Sequence, residues 1–315
     1  MKKFLALFLS LSLALSLAAC GSNSVSSDQQ EASSGLSAEE AEDESSEVSE
    51  ANENETSKND EQTEITFEEL VVVDNDECTI TITGLDPNNI WGYAVDAQFE
   101  NKSSDKTYMF SVESASVNGV SSDPYFASEV TAGNKSNEEI NFPDSDLAEY
   151  GVEEFTDIVI TFRVYDSDDW EAEDAAYETV HIYPYGEENV VAFVREARDT
   201  DNVIIDNDYV TVIVTGYEYD DIWGYTVNLY YENKTDTEVM LSVDDASVNG
   251  YMIDPFYAET VAAQTCAFSE VSWYEEELEE NGISEVEEIA FQLTAYDNED
   301  WTGDYFVNET ITLNP

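Results

Sequence analysis

The second half of the chain repeats the first, and this duplication limits the fold more than any single motif does. I-W-G-Y at 90–93 returns at 222–225, and A-S-V-N-G at 115–119 returns at 246–250. The offset is 132 residues for the first motif and 131 for the second, so the two copies differ in length by one residue. A repeat of this length can bury its own core. We predict a first repeat at 66–184, a linker at 185–199 and a second repeat at 200–315.

Within each copy, apolar residues recur at every second position. The stretches 91–99 and 158–165 both alternate in this way, which is typical of strands with one buried face and predicts that Trp91 and Tyr93 face a core. Asn118-Gly119 is a signal for a two-residue hairpin turn. Only 144–151 and 275–282 have the pattern of a short helical turn ending at glycine. Short strands with turns at this spacing predict an all-β fold with one β-sandwich in each repeat.

The N-terminus has the pattern of a secretion signal, in which Lys2 and Lys3 precede an apolar run that ends at Ala19. The stretch L-A-A-C at 17–20 resembles the bacterial lipobox. That resemblance implies a lipoprotein signal peptide at 1–19, diacylation of the Cys20 sulfur, and anchoring at the outer face of the cell membrane. The alternative is an ordinary secretory signal that has a cysteine at its cleavage site.

The segment 20–65 has almost no large apolar residues and is dominated by Ser, Glu, Asp, Asn and Ala. Such a composition cannot bury enough surface to fold, so we predict a disordered acidic tether. A flexible coil of this length spans roughly 35–40 Å. The tether is expected to hold the repeats away from the bilayer.

The charge balance is strongly acidic, with 72 Asp and Glu against 10 Lys and Arg and a formal net charge of −62. Such a surface repels phosphate, which excludes nucleic acid as a partner and leaves the lipid anchor as the contact with the membrane. Cations and basic proteins are attracted instead. Adaptation to high salt or a gain in solubility would explain the same composition.

Two loops carry closely spaced carboxylates beside a tryptophan: Y-D-S-D-D-W at 165–170 and Y-D-N-E-D-W at 296–301. Strand counting places each loop before the last strand of its repeat, with the Asp86 loop at the same end and the Asp123-Pro124 loop beside them. Oxygen-rich loops suit calcium, which takes six to eight oxygen ligands. The alternative is a solvated turn in which the tryptophan covers the end of the core. The candidate calcium ligands are Asp166, Asp168, Asp169, Asp297, Glu299 and Asp300.

Two cysteines lie beyond Cys20, one in each repeat. Cys78 has the inward parity of a strand, and Cys266 has Lys135 as its counterpart in the first repeat. Neither has a partner in its own repeat. We expect two free, buried thiols, with a disulfide between the repeats as the alternative.

Several segments resemble a known family. These are the run from Trp91 through E-N-K-S, the S-A-S-V-N-G segment, the A-G-N-K turn at 132–135, and the I-V-I-T-F-R-V strand at 158–164. Together they are similar to the immunoglobulin-like domains of surface lipoproteins from Gram-positive gut bacteria. The resemblance covers both repeats and implies two tandem immunoglobulin-like β-sandwich domains. It implies no catalytic residues, because the matching motifs are turns and core positions.

Three functions remain open from the sequence. The first is a non-catalytic binding or structural module with a protein or glycan partner, and the second is a calcium-dependent glycan binder. The third is an envelope hydrolase, although the only histidine, His181, is Thr312 in the other repeat, and we therefore predict no enzyme. No cofactor is expected apart from calcium. The aromatic residues proposed to stack on a ligand are Tyr125, Trp170, Phe256 and Trp301.

Overall fold

The alternating sequence pattern forms strands, and the fold is all-β. A computed structural model describes residues 65–220, 224–255, 257–300 and 302–315. The predicted signal peptide, Cys20 and the tether up to residue 64 lie outside these described residues. Within them, no helix is long and apolar enough to cross a membrane.

The first repeat contains nine strands and one short helix, which lies between the seventh and eighth strands. The elements are β1 (Leu70–Asp74), β2 (Cys78–Asp86), β3 (Tyr93–Asn101), β4 (Tyr108–Val117), β5 (Val120–Ser121), β6 (Ala127–Val130), β7 (Lys135–Phe142), α1 (Asp144–Glu149), β8 (Ile158–Asp166) and β9 (Ala176–Ile182).

The second repeat has the same element order, and a single 3₁₀ turn at Glu187–Asn189 precedes it. Its elements are β10 (Asn202–Asp206), β11 (Val210–Asp220), β12 (Gly224–Asn233), β13 (Val239–Val248), β14 (Tyr251–Met252), β15 (Ala258–Val261), β16 (Cys266–Trp273), α2 (Glu275–Glu280), β17 (Ile289–Asp297) and β18 (Val307–Leu313).

In the first repeat, two layers of strands pack face to face. One layer has the order β1-β2-β3-β7, and the other contains β4, β8 and β9 with β5 and β6 paired to β4. Phe99 on β3 contacts Phe110 on β4 and Phe162 on β8, with ring centroids 5.2 and 6.2 Å apart. The apolar side of each alternating strand therefore faces this core, as predicted for 158–165.

The second repeat has the equivalent layers, β10-β11-β12-β16 and β13-β17-β18, with β14 and β15 paired to β13. Its buried residues form a core cluster of their own, whereas the cluster of the first repeat also includes Tyr230 and Cys266 from the second. The packing of the two repeats is thus continuous at one place.

Hydrogen bonding is continuous at the same place. β5 and β16 pair in parallel through Val120 and Cys266, so a single nine-stranded sheet extends from β10 to β9. The Cys266 amide donates to the Gly119 carbonyl at 2.9 Å. The Asn118-Gly119 turn, at φ of 53° and 88°, is the predicted hairpin. It closes β4 onto β5 and also contacts the second repeat.

An aromatic cluster covers this junction. Phe268 on β16 stacks on Tyr150, which follows α1, with ring centroids 3.8 Å apart. Phe268 also contacts Tyr230 at 5.2 Å and Phe193 at 6.0 Å. The Phe193 amide donates to the Asn118 carbonyl at 2.8 Å, so the segment predicted as a linker is packed against both repeats.

The predicted helical turns and thiols are both confirmed. α1 and α2 lie where the short helical patterns occur, and Gly151 and Gly282 follow them at φ of 93° and 72°. Cys78 and Cys266 are free and buried, so the alternative of a disulfide between the repeats is wrong. Burial raises the pKa of each thiol to about 11, which leaves both uncharged at neutral pH.

Candidate functional site

The Y-D-S-D-D-W loop lies where strand counting predicts it, between β8 and β9. Asp166 at the end of β8 accepts a hydrogen bond from the Asp168 amide at 3.1 Å through Oδ1. Its Oδ2 lies 3.7 Å from Nζ of Lys106. Both oxygens of Asp166 are therefore engaged in holding the turn and a lysine.

The second loop uses its carboxylates in the same way. Oδ1 of Asp297 accepts from the Glu299 amide at 2.9 Å, and Oδ1 of Asp300 accepts from the Thr302 amide at 3.3 Å. These are turns in which an aspartate side chain bonds the backbone two residues on. Within the described ranges, no three His, Cys, Asp or Glu side chains are arranged to hold a metal ion. Calcium binding by these two loops stays a prediction, which ion titration would test.

The prediction that the Asp86 loop lies at the same end is wrong. Asp166 pairs with Tyr108 at the start of β4, and the Tyr108 hydroxyl donates to Glu77 at 2.5 Å, next to the start of β2. Asp86 is at the other end of β2, where it pairs with Ala94. β5 and β6 both run antiparallel to β4, so together they reverse the direction of the chain only once. Strict alternation would count two reversals, and β2 and β8 therefore run in opposite directions instead of the same one.

The Asp123-Pro124 loop is also placed differently. The Phe126 carbonyl accepts from the Val112 amide at 3.1 Å. This loop therefore lies beside the middle of β4 and not at the end of the sandwich. Asp123 lines a cavity of about 210 Å3 together with Glu259 of the second repeat. Desolvation by burial, reinforced by Asp123, raises the pKa of Glu259 to about 7.

Two of the four proposed ligand aromatics can be placed, while Phe256 and Trp301 lie outside the described residues. Trp170 is 70% exposed, so it does not cover the end of the core as the alternative for this loop required. Tyr125 is 93% exposed and has a left-handed φ of 49°. The Asp123 carboxylate accepts from the Tyr125 amide at 2.8 Å and holds this conformation. Among the ring contacts of the described residues, none joins Trp170 to Tyr125.

A further pair of exposed apolar residues precedes β3. Ile90 and Trp91 are 86% and 74% exposed, although the alternation predicted Trp91 to face the core. β3 begins only at Tyr93, because Gly92 approaches β7 so closely that a Cβ would lie 2.1 Å from the Phe142 carbonyl oxygen. The φ of 111° at Gly92 ends the strand geometry there.

Hydrogen bonds of the Asn89 side chain hold the Ile90-Trp91 turn. The Asn89 carboxamide accepts from the Trp91 amide at 3.0 Å and donates to Glu139 on β7, also at 3.0 Å. The same glycine geometry occurs in the second repeat, where a Cβ on Gly224 would lie 2.1 Å from the Trp273 carbonyl oxygen. The repetition of I-W-G-Y in both copies is the sequence signal for this loop.

Ionisable groups also come together at two other places within the described residues. Nδ1 of His181 lies 3.0 Å from the Asp157 carboxylate at a half-exposed position on β9. A cavity of about 680 Å3 at the junction of the repeats is lined by Arg195 and Arg198. Arg195 is bound to Asp201 through both terminal nitrogens at 2.7 and 2.6 Å, which lowers the pKa of Asp201 to about 2. That arginine charge is already neutralised within the protein.

Comparison with known proteins adds no family. No family model matches the chain, and no curated protein matches it. A solved structure, the crystal structure of the YadV chaperone at 1.63 Å, aligns with 70% of this chain and 92% of its own. The identity is 12% and the TM-score is 0.23, a similarity too low to carry an argument about fold or function.

Proposed function

We propose that this protein is a lipid-anchored extracytoplasmic lipoprotein of Gram-positive bacteria that acts as a non-catalytic binding or structural module. Lipidation of Cys20 and the tether at 20–65 would place two tandem immunoglobulin-like β-sandwich repeats outside the cell membrane. The paired layers β1-β2-β3-β7 and β4-β8-β9, repeated in the second half, support the tandem arrangement.

The observation that carries the binding role is the exposed turn at Ile90 and Trp91. Leaving both side chains in water costs the free energy that burial would return, about 1.5–3 kcal/mol for a large apolar side chain. Gly92 and Asn89 nevertheless hold the turn in one conformation. A loop held by such contacts loses less conformational entropy on binding a partner than an unrestrained loop does.

The test is binding of full-length protein to arrays of bacterial and host glycans and of extracellular basic proteins. The double substitution Ile90→Ser and Trp91→Ser is expected to weaken binding at least tenfold. Tyr177→Ser is the matched control, because Tyr177 is also exposed, at 55%, but lies within β9. Equal binding by wild type and the double variant would contradict the assignment to this turn.

A calcium-dependent glycan binder is the second candidate, and the exposure of Trp170 and Tyr125 favours it. Aromatic faces in loops can stack on sugar rings, and the neighbouring carboxylates would supply the ion ligands. On the same glycan array, Trp170→Ser should then abolish binding, and chelator should have the same effect. Binding that survives chelator would leave only the first candidate.

A further inference from the structure

The duplicated chain builds the same corner twice, where the short helix, the loop after it and the start of the third strand meet. In the first repeat this corner is filled. Tyr93 stacks on Phe155 with ring centroids 4.7 Å apart, and Phe155 meets Phe142 edge-on at 6.3 Å. Tyr93 and Phe155 are only 5% and 3% exposed.

In the second repeat the equivalent corner is hollow. Tyr225 corresponds to Tyr93 and the fully buried Trp273 to Phe142, but Val286 takes the place of Phe155, so the ring that stacks on Tyr93 has no counterpart here. A cavity of about 360 Å3 lies there, with Tyr225, Leu278, Ile283 and Val286 among its walls. Leu278 and Ile283 are 2% and 8% exposed and belong to the core cluster of this repeat.

The volume and the walls suit a small apolar group. An apolar cavity of about 150 Å3 is enough to bind benzene, and ligand pockets begin at about 300 Å3. The cavity between α2 and β12 therefore has room for a ring and a short chain. Replacing a buried phenylalanine by a valine costs stability unless another group fills the space.

Three carboxylates also line the cavity. Glu275, Glu279 and Glu285 line it, and no lysine or arginine does so among the described residues. Attraction between opposite charges is stronger at the effective dielectric constant of a protein surface than in bulk water. The Tyr225 ring adds a face that favours a cation. A negatively charged ligand would be repelled by the same groups.

We infer that this cavity binds a small organic ammonium compound whose aromatic or branched aliphatic body enters between α2 and β12. The ammonium group lies among Glu275, Glu279 and Glu285, and the apolar body contacts Leu278 and Val286. This site is separate from the Ile90-Trp91 turn of the first repeat. Failure of either assignment therefore leaves the other standing.

The test is calorimetric titration of full-length protein with 2-phenylethylammonium, with 3-phenylpropanol and 3-phenylpropionate as the neutral and anionic ligands of similar shape. The ammonium compound is expected to bind one site, at least tenfold more tightly than the propionate. Val286→Phe should abolish this binding and leave the melting temperature unchanged or raised, because it restores the ring found in the first repeat. A folded Val286→Phe variant that binds as wild type does would overturn the proposal.

Glu285→Gln tests the charge without changing the shape of the cavity. It should weaken binding of the ammonium compound several-fold and leave 3-phenylpropanol unaffected. Glu154→Gln is the matched control, because Glu154 is the counterpart of Glu285 beside the filled corner and should change nothing. Equal losses in both variants would mean that the amine senses only the acidic surface, and the proposal would fail. Binding of a lysine peptide without binding of the free amine would also overturn the ligand class.

Discussion

Truncation of Phe268 should separate the unfolding of the two repeats. Phe268 is half-buried on β16, and its ring contacts Tyr150, Tyr230 and Phe193 around the β5–β16 pairing, where the sheet crosses between repeats. Each aromatic pair contributes about 0.5–1.5 kcal/mol beyond its buried area. Since the ring keeps some exposure, we expect Phe268→Ala to cost about 2–3 kcal/mol of coupling between the repeats.

Differential scanning calorimetry measures this directly. For a protein of this size, about 1 kcal/mol lowers Tm by about 2–4 °C, so the loss amounts to roughly 5–10 °C in the repeat that melts first. The backbone bond from Cys266 to Gly119 survives the substitution, but one bridge contributes little by itself. The heat absorption should therefore broaden or divide into two transitions.

The first repeat supplies the control. Asn137 on β7 is the counterpart of Phe268, and its side chain accepts from the Gln98 carboxamide at 2.9 Å on an exposed sheet surface. Asn137→Ala should change the free energy of unfolding by no more than a surface substitution does, about 0.5 kcal/mol, and Tm should shift correspondingly little. If Phe268→Ala gives the same small shift and a single transition, the aromatic cluster does not couple the repeats.

Three further predictions concern the anchor, the acidic loops and pH. Cys20→Ser should move the protein from the detergent phase to the aqueous phase in a partition assay, and wild-type protein found in the aqueous phase would refute lipidation. If the carboxylate loops hold calcium, millimolar calcium should raise Tm more than magnesium or sodium at matched ionic strength, and conversion of Asp166, Asp168 and Asp169 to Asn should remove the first repeat's share. Glu259 has a folded pKa of about 7, above its unfolded value, so protonation favours the folded state and stability should fall as pH rises from about 4.5 to 7. Glu259→Gln should flatten that slope in denaturant titrations, and an unchanged slope would contradict the shifted pKa.

Local features of this fold could be predicted from the sequence because their causes are local. Alternation at 158–165 buries Ile158, Ile160 and Phe162, since successive side chains of a strand point to opposite faces. Asn118-Gly119 forms its hairpin because both residues accept the positive φ that the turn requires. The short helical turns end where a glycine allows the left-handed conformation.

Features that depend on distant partners could not be predicted in this way. The exposure of Trp91 follows from the close approach of Gly92 to the end of β7, some 50 residues along the chain. Whether Asp86 lies at the same end of the sandwich as the Asp166 loop depends on β5 and β6 running in the same direction, which reverses the chain once instead of twice. The parallel bridge from Val120 to Cys266 joins two repeats, and no period in the sequence indicates it.

The duplication itself contains information that alternation does not. Where both copies need the same core, they carry the same kind of residue, as at Leu147 and Leu278. Where their surroundings differ, the residues differ. Position by position, the residues around the junction are aromatic in one copy and amide in the other: Tyr150 against Asn281, Phe268 against Asn137, and Tyr230 against Gln98.

The same comparison identifies the corner that contains the cavity, where Val286 of the second repeat replaces Phe155 of the first. An amide in place of an aromatic side chain is stable on an exposed sheet face and costly beneath a neighbouring repeat, because a buried polar group needs a partner. A valine in place of a phenylalanine leaves a void unless something else fills it. The first kind of difference therefore marks the surface that each copy turns to the other, and the second marks the place where only one copy has space for a ligand.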